Sequence, residues 1–239
     1  MILPGFPTDM RIAVIGASGG IGAALTAALA ADAQVAQVFA FSRSGTVPAA
    51  AKVSSAALDL LDSASIAAAA ESVEPLDIVI VATGMLHAPE RSIRDLDADR
   101  LARNFTVNAI GPALVAQAFL PKLRTDRRTV FAALSARVGS ITDNRLGGWY
   151  GYRASKAALN QFIRTLAIEH ARRNPAGVCV ALHPGTVDTP LSQPFQRGVA
   201  PGKLFTPELS AAHLIGVIDR LTPTDSGGLF AWDGSRIAF

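Results

Sequence analysis

The sequence predicts an α/β fold: one doubly wound parallel sheet of about seven strands, with helices on both faces in three α/β/α layers. Three observations predict it. Short apolar runs alternate with helix-length amphipathic stretches along all 239 residues, the signature of repeated strand–helix units. The first apolar run passes straight into a glycine-rich turn and an alanine-rich helix. No linker or shift of composition divides the chain, so residues 1–239 read as a single domain.

Taken in order, residues 11–15 form the first strand and residues from about 20 to 31 the first helix. Residues 35–41 and 53–58 supply the next two strands. Residues 63–72 form a short helix with Ser63 near its cap, and 77–82 a buried strand. Residues 97–123 are helical, with an interruption at Gly111-Pro112, since proline lacks an N–H and its ring crowds the preceding turn. Residues 128–134 and 177–182 are strands on either side of a long helix over 150–173. A helix over 207–220 and a strand over 228–232 close the pattern. In such sheets the ligand sits beyond the carboxyl ends of the strands. Gly16, Arg43, Asp59, Thr83, Ser135 and Pro184 all fall there. The longest non-periodic stretch is 186–207, with Pro190, Pro194, Pro201 and Pro207. It reads equally as a lid over the site or as a surface loop.

Composition narrows the function. Half the residues are hydrophobic and 17% are charged, which suits a packed core. The net charge of +3 comes from 22 basic and 19 acidic residues. Arg124, Arg127 and Arg128 are interleaved with Asp126, and Arg172-Arg173 is followed by Asn174, so no basic stripe points to nucleic acid. No apolar run approaches the ~18 residues of a membrane span, and Met1 to Asp9 lacks the pattern of a signal peptide. A cytoplasmic protein is expected. Cys179, the one cysteine, lies in an apolar run and reads as a core residue. The four histidines have no metal-ligand spacing, so no metal is expected. His183, beside Pro184, falls near the expected cleft. Trp149 and Phe195 read either as an apolar substrate wall or as packing residues.

The chemistry-bearing motifs fall at strand ends. Gly16-Ala17-Ser18-Gly19-Gly20-Ile21-Gly22 follows the first strand and opens the first helix. Its glycines let the backbone approach a pyrophosphate, which the amides at the helix start bind. Gly16, Ser18, Gly20, Ile21 and Gly22 are therefore cofactor candidates. About twenty residues on, the second strand ends in Ser42-Arg43-Ser44, with no carboxylate between Val35 and Asp59. An acidic residue there would hold the ribose 2′-hydroxyl of NAD, whereas arginine accommodates a 2′-phosphate. Arg43 with Ser42 places NADP(H) ahead of NAD(H). Tyr152 and Lys156 share one helix face at a spacing of i and i+4. Two tyrosines and four lysines in 239 residues make only about 0.03 such pairs by chance. A neighbouring ammonium favours the phenolate, bringing tyrosine towards acid–base work at neutral pH.

Together these motifs resemble the short-chain dehydrogenase/reductase family over essentially the whole chain. The glycine turn matches at Gly16, Gly20 and Gly22. Asp59-Leu60 matches the pair that contacts adenine, and Ala82-Thr83-Gly84 resembles the family's Asn-Asn-Ala-Gly segment. Val107-Asn108-Ala109-Ile110-Gly111 matches the helix bearing an active-site asparagine. Pro184-Gly185-Thr186-Val187-Asp188-Thr189 matches the segment beside nicotinamide, and Tyr152-Arg153-Ala154-Ser155-Lys156 the Tyr-x-x-x-Lys motif. The run from Leu146 to Lys156 resembles the C-factor and Sniffer-like branch.

The resemblance implies a Rossmann-type fold, NADP(H) and a small carbonyl or alcohol substrate. Tyr152 would be acid or base, and Lys156 would lower its pKa and hold the nicotinamide ribose. Asn108 would anchor a water leading to solvent, and Pro184, Gly185, Val187 and Thr189 would border the nicotinamide. A homodimer or homotetramer is also implied. A non-catalytic NADP(H)-binding sensor of the C-factor type is the alternative. In the family a serine after the fifth strand holds the carbonyl oxygen. Here alignment on Gly139 places Ala136 at that position, with Ser135 one residue early and Ser140 a further candidate. Ser135 is taken as the expected residue.

Overall fold

The computed structural model describes residues 2–239. In chain order the elements are β1 (Met10–Ile15), α1 (Gly20–Ala31), β2 (Val35–Ser42), β3 (Val53–Ala57), α2 (Ser63–Glu71) and β4 (Ile78–Val81). These are followed by α3 (Ala98–Phe105), α4 (Gly111–Phe119), β5 (Thr129–Leu134), α5 (Tyr150–Ala171) and β6 (Gly177–His183). The short pair β7 (Thr186–Val187) and β8 (Leu204–Phe205) precedes α6 (Pro207–Arg220), β9 (Leu229–Ala231) and β10 (Arg236–Ile237). One sheet of eight strands runs β10-β9-β6-β5-β4-β1-β2-β3. Its neighbours are parallel except β9 and β10. The strand beyond the expected seven is this short antiparallel edge.

The alternation of side chains along each strand divides the core into two layers. Ile12 and Val14 of β1 join Leu25 and Leu29 of α1 and Leu214 and Ile218 of α6. Ala13 and Ile15 face the other way, into Ile66 of α2, Phe119 of α4 and Leu159 and Ile163 of α5. With both faces covered, the central strands are continuously apolar, and all of Ile-Val-Ile-Val in β4 is buried. Strand order turns back between β1 and β4, which opens a crevice at their carboxyl ends.

Three details refine the expected elements. The helix over 97–123 does not break at Gly111-Pro112. It widens into a π-helical turn, Thr106–Ile110, before α4 begins with Pro112 in its first turn. The Gly111 N–H bonds the Thr106 carbonyl five residues back, so the helical hydrogen bonding continues through a wider turn up to the proline. Second, Ser63 does stand next to the cap of α2, which is Asp62; its carboxylate accepts the Ala64 N–H at 2.9 Å. Third, 186–207 is not wholly irregular, because β7 and β8 pair in parallel and tie its two ends together. Among the described residues, no helix is long and apolar enough to cross a membrane.

Candidate active site

The glycine turn after β1 is tight for steric reasons. Gly16 has φ +89°, and a Cβ on it would stand 2.9 Å from Thr83 Cγ2. A Cβ on Gly22 would lie 2.1 Å from the Gly16 carbonyl oxygen, so the start of α1 can fold back on the turn only without a side chain there. Gly20 has the same closeness to Thr189, at 2.7 Å. No side chain caps α1 and no acidic residue occupies its first turn, so its free N–H groups and positive dipole end suit an anion.

A cleft of about 330 Å³ opens from this turn across the strand ends. Gly16 and Ser18 line it from the turn, and Ser42 and Arg43 from the end of β2. Asp59 and Leu60 follow β3 into it, and Ala82, Thr83 and Gly84 follow β4. Ser42 is buried and donates to the Thr46 carbonyl at 3.2 Å, which shapes the loop that leaves Arg43 exposed. Asp59 accepts the Leu61 N–H at 2.9 Å. The Thr83 hydroxyl is buried with no partner among the described residues. A glycine-walled cradle, an uncapped helix start and an orphaned hydroxyl fit a dinucleotide.

A second cavity of about 230 Å³ adjoins it. Ile21, Pro184, Gly185, Val187 and Thr189 line one side, and Ser135, Tyr152 and His183 another. Leu191, Phe195 and Val199, from the segment between β7 and β8, complete it. Trp149 lines this cavity too, with its ring centroid 5.2 Å from Phe195 and 6.3 Å from Tyr152. These aromatics therefore belong to the pocket wall. Gly147, Gly148 and Trp149 are all left-handed, with φ of +64°, +64° and +53°, a conformation costly for a tryptophan. Buried Glu90 holds it: its carbonyl accepts the Trp149 N–H, and its carboxylate accepts the Gly151 N–H at 3.1 Å. Glu90 thus sets the start of α5 and with it the position of Tyr152, one turn in.

Lys156 is buried, donates to the Leu134 carbonyl at 2.7 Å and lies 5.9 Å from the Tyr152 ring centroid. Asn108, in the π-helical turn, clamps Met85: it accepts the Met85 N–H at 2.8 Å and donates to the Met85 carbonyl at 2.9 Å. It also donates to Ser155 on α5 at 3.1 Å. A Cβ on Gly84 would be 3.8 Å from both Asn108 Oδ1 and Lys156 Nζ, so the three lie together behind the cleft that Gly84 lines.

Burial governs both titrating groups. It pushes the Tyr152 phenol up to about 12 and the Lys156 ammonium down to about 7. The expected lowering of the phenol by its lysine is not seen, because desolvation raises it instead. At neutral pH Tyr152 keeps its proton. Between about 7 and 10.5 the unfolded chain binds the Lys156 proton and the folded chain does not, so stability rises with pH across that window. The melting temperature should therefore climb from pH 7 to 9, below the range in which the buried Cys179 thiol, pushed up to about 12, acts in the opposite sense. Lys156→Met should flatten the climb. An identical slope in both proteins would discard this account.

Ser135 lines the cavity with Tyr152, but its hydroxyl is already engaged. Asn160 donates from Nδ2 to the Gly139 carbonyl at 3.3 Å, leaving Oδ1 to accept the Ser135 hydroxyl at 2.7 Å. The Ser135 proton is thus committed. Ser140 donates to the Ala238 carbonyl and accepts the Asp143 N–H at 3.1 Å. Asn160 escaped the sequence reading, although Tyr152, Lys156 and Asn160 repeat every four residues along one face of α5. Among the described residues, no group of three or more His, Cys, Asp or Glu could hold a metal ion. Cys179 is free and buried.

The family model for short chain dehydrogenase matches residues 10–200. The C-signal protein of Myxococcus xanthus is 37% identical over 164 residues, spanning 68% of this chain and 92% of that protein. The 1-hydroxy-2-glutathionyl-2-methyl-3-butene dehydrogenase of Rhodococcus sp. (strain AD45) is 36% identical over 162 residues, 67% of each chain. Among solved structures, the NADPH-bound carbonyl reductase from chicken fatty liver superposes with a TM-score of 0.87 at 27% identity, covering 98% of this chain and 96% of that one. The carbonyl reductase Sniffer of D. melanogaster shares the fold, with a TM-score of 0.84 at 22% identity over 98% of this chain and 100% of that one.

Proposed function

The chain belongs to the short-chain dehydrogenase/reductase family, and from that premise we propose that it is an NADPH-dependent reductase of a small apolar aldehyde or ketone. One observation carries the reading. A half-buried, protonated Tyr152 beside buried Lys156 lines a largely apolar cavity next to the glycine-walled cleft. A protein that only senses NADP(H) has no need of that pair.

The glycine turn and the start of α1 would hold the pyrophosphate, Arg43 and Ser42 the 2′-phosphate, and Asp59 and Leu60 the adenine. Ala82, Thr83, Gly84 and Lys156 would border the ribose, and Ile21, Pro184, Gly185, Val187 and Thr189 the nicotinamide. NADPH, when bound, supplies the hydride. Tyr152 gives its proton to the carbonyl oxygen as negative charge develops there. A phenol that stays protonated at neutral pH suits this direction of reaction. Lys156 then restores the proton, and Asn108 keeps Met85 and α5 in place around the exchange.

Specificity for NADPH rests on Arg43. A charge-assisted hydrogen bond contributes ~1.5–3 kcal/mol, so Arg43→Ala should weaken NADPH binding by roughly tenfold or more and leave NADH unchanged. Fluorescence titration reads both affinities, and equal affinity for the two in the unaltered protein would refute the assignment. The function itself is tested by NADPH depletion over a panel of aldehydes, ketones and quinones. NADPH that binds but is never oxidised, even in a single turnover, would leave the sensor reading in its place.

A further inference from the structure

None of the three sites at which a serine was sought offers a proton to a substrate oxygen. Ser135 donates to Asn160 and Ser140 to Ala238, and Ala136 has only a methyl group. Yet the oxygen of a carbonyl accepting hydride gains charge in a cavity lined by Ile21, Leu86, Val138 and Phe195. A second donor opposite Tyr152 would stabilise it strongly there.

The strand register supplies one. Leu134 pairs with Leu182, and the Ser135 N–H bonds the Leu182 carbonyl at 2.7 Å, so His183 stands beside Ser135 on the adjoining strand. Ala133 and Ala181, two residues earlier on each strand, both face the α5 side of the sheet, and the alternation turns Ser135 and His183 the same way. His183 lines the cavity that Tyr152 lines. Neither of its ring nitrogens has a hydrogen-bond partner among the described residues, and Nδ1 is fully buried. Three other polar side chains of the cavity are engaged: Ser192 and Thr189 both donate to the Val187 carbonyl, and Arg137 pairs with Asp143 at 3.1 Å.

We propose that His183 is a catalytic residue whose ring N–H holds the substrate carbonyl oxygen in the place a serine takes elsewhere. The inference rests on the reductase reading above. Burial, with Arg137 adding to it and Asp233 opposing, pushes the imidazole down to about 4. The ring is thus neutral at working pH and acts as a hydrogen-bond donor, while Tyr152 delivers the proton. No proton leaves His183 in the cycle. Neutral imidazole serves as an electrophile in this manner in other enzymes.

The test uses the full chain with NADPH and the best ketone of the panel. His183→Ala should lower kcat by ~10²–10³-fold, the usual effect of losing one such donor, with NADPH affinity unchanged. His183→Gln keeps an N–H and should recover at least part of the rate. Adding Ala136→Ser to His183→Ala should also recover activity. In the Tyr152→Phe protein with NADP⁺, the His183 ring ¹⁵N resonances should shift when the ketone is added. A His183→Ala kcat within about twofold of the parent overturns the inference while leaving the reductase reading intact. Should His183→Ala fail to fold, unmoved His183 resonances overturn it instead. No turnover by the unaltered protein with any carbonyl removes the reductase reading, and this inference with it.

Discussion

Tyr152→Phe should lower kcat for carbonyl reduction by ~10²–10⁴-fold, the contribution of a positioned acid, and leave NADPH affinity within about twofold. Phenylalanine keeps the ring that packs edge-on to Trp149 at 6.3 Å, so the pocket wall survives. Only the hydroxyl goes. Hydride transfer would then leave an alkoxide in a largely apolar cavity with no proton to receive, and an uncompensated buried charge is costly. Tyr150→Phe is the matched control: the only other tyrosine is exposed and lines neither cavity of the site. Stopped-flow measurement of NADPH oxidation separates binding from chemistry. Residual activity equal to the parent in Tyr152→Phe would remove the proposed mechanism.

Much of this site was legible because its parts are local. The glycine turn is marked by residues within one stretch of seven, from Gly16 to Gly22, although Gly16 and Gly20 also press on distant Thr83 and Thr189. Tyr152 with Lys156 is marked by the pitch of one helix. The strands were legible for a related reason. A parallel strand covered on both faces must be apolar along its length, as β4 is. What stayed hidden depends on partners distant in sequence. Glu90 reads as an ordinary loop acid until its carboxylate is found on Gly151, 61 residues away. Trp149 and Phe195 gave no sign of choosing pocket over core, because their contact requires the β7–β8 pairing that folds 186–207 across the cavity.

Hydrogen-bond direction was equally hidden. The sequence could place Ser135 one residue early, but its commitment to Asn160 rests on that asparagine's second bond, to Gly139. The pKa of Tyr152 moved opposite to expectation for a similar reason. A cation at i+4 is visible in the sequence, whereas the burial that raises the phenol is a property of the assembled site.

Gly22→Ala should cost both cofactor binding and stability. The added Cβ would meet the Gly16 carbonyl oxygen at 2.1 Å, the Gly16 carbonyl carbon at 2.8 Å and the Ala17 Cα at 3.2 Å. All three are backbone atoms, so no side chain can swing aside. Either the turn opens or α1 moves off β1, and both displace the N–H groups offered to the pyrophosphate. Overpacking of this kind costs ~1–3 kcal/mol, or a fall of about 2–12 °C in melting temperature for a chain of this size. NADPH affinity should fall further than stability accounts for, since the amides must converge on one phosphate group. Gly216→Ala makes the comparison fair. It lies inside α6, where a Cβ meets nothing nearer than Arg220 Nη1 at 3.5 Å, so alanine should stabilise by ~0.4–1 kcal/mol. Calorimetry of the three proteins, each with and without NADPH, reads both quantities. A Gly22→Ala protein that NADPH stabilises as much as the parent would show that the turn does not bind the phosphates.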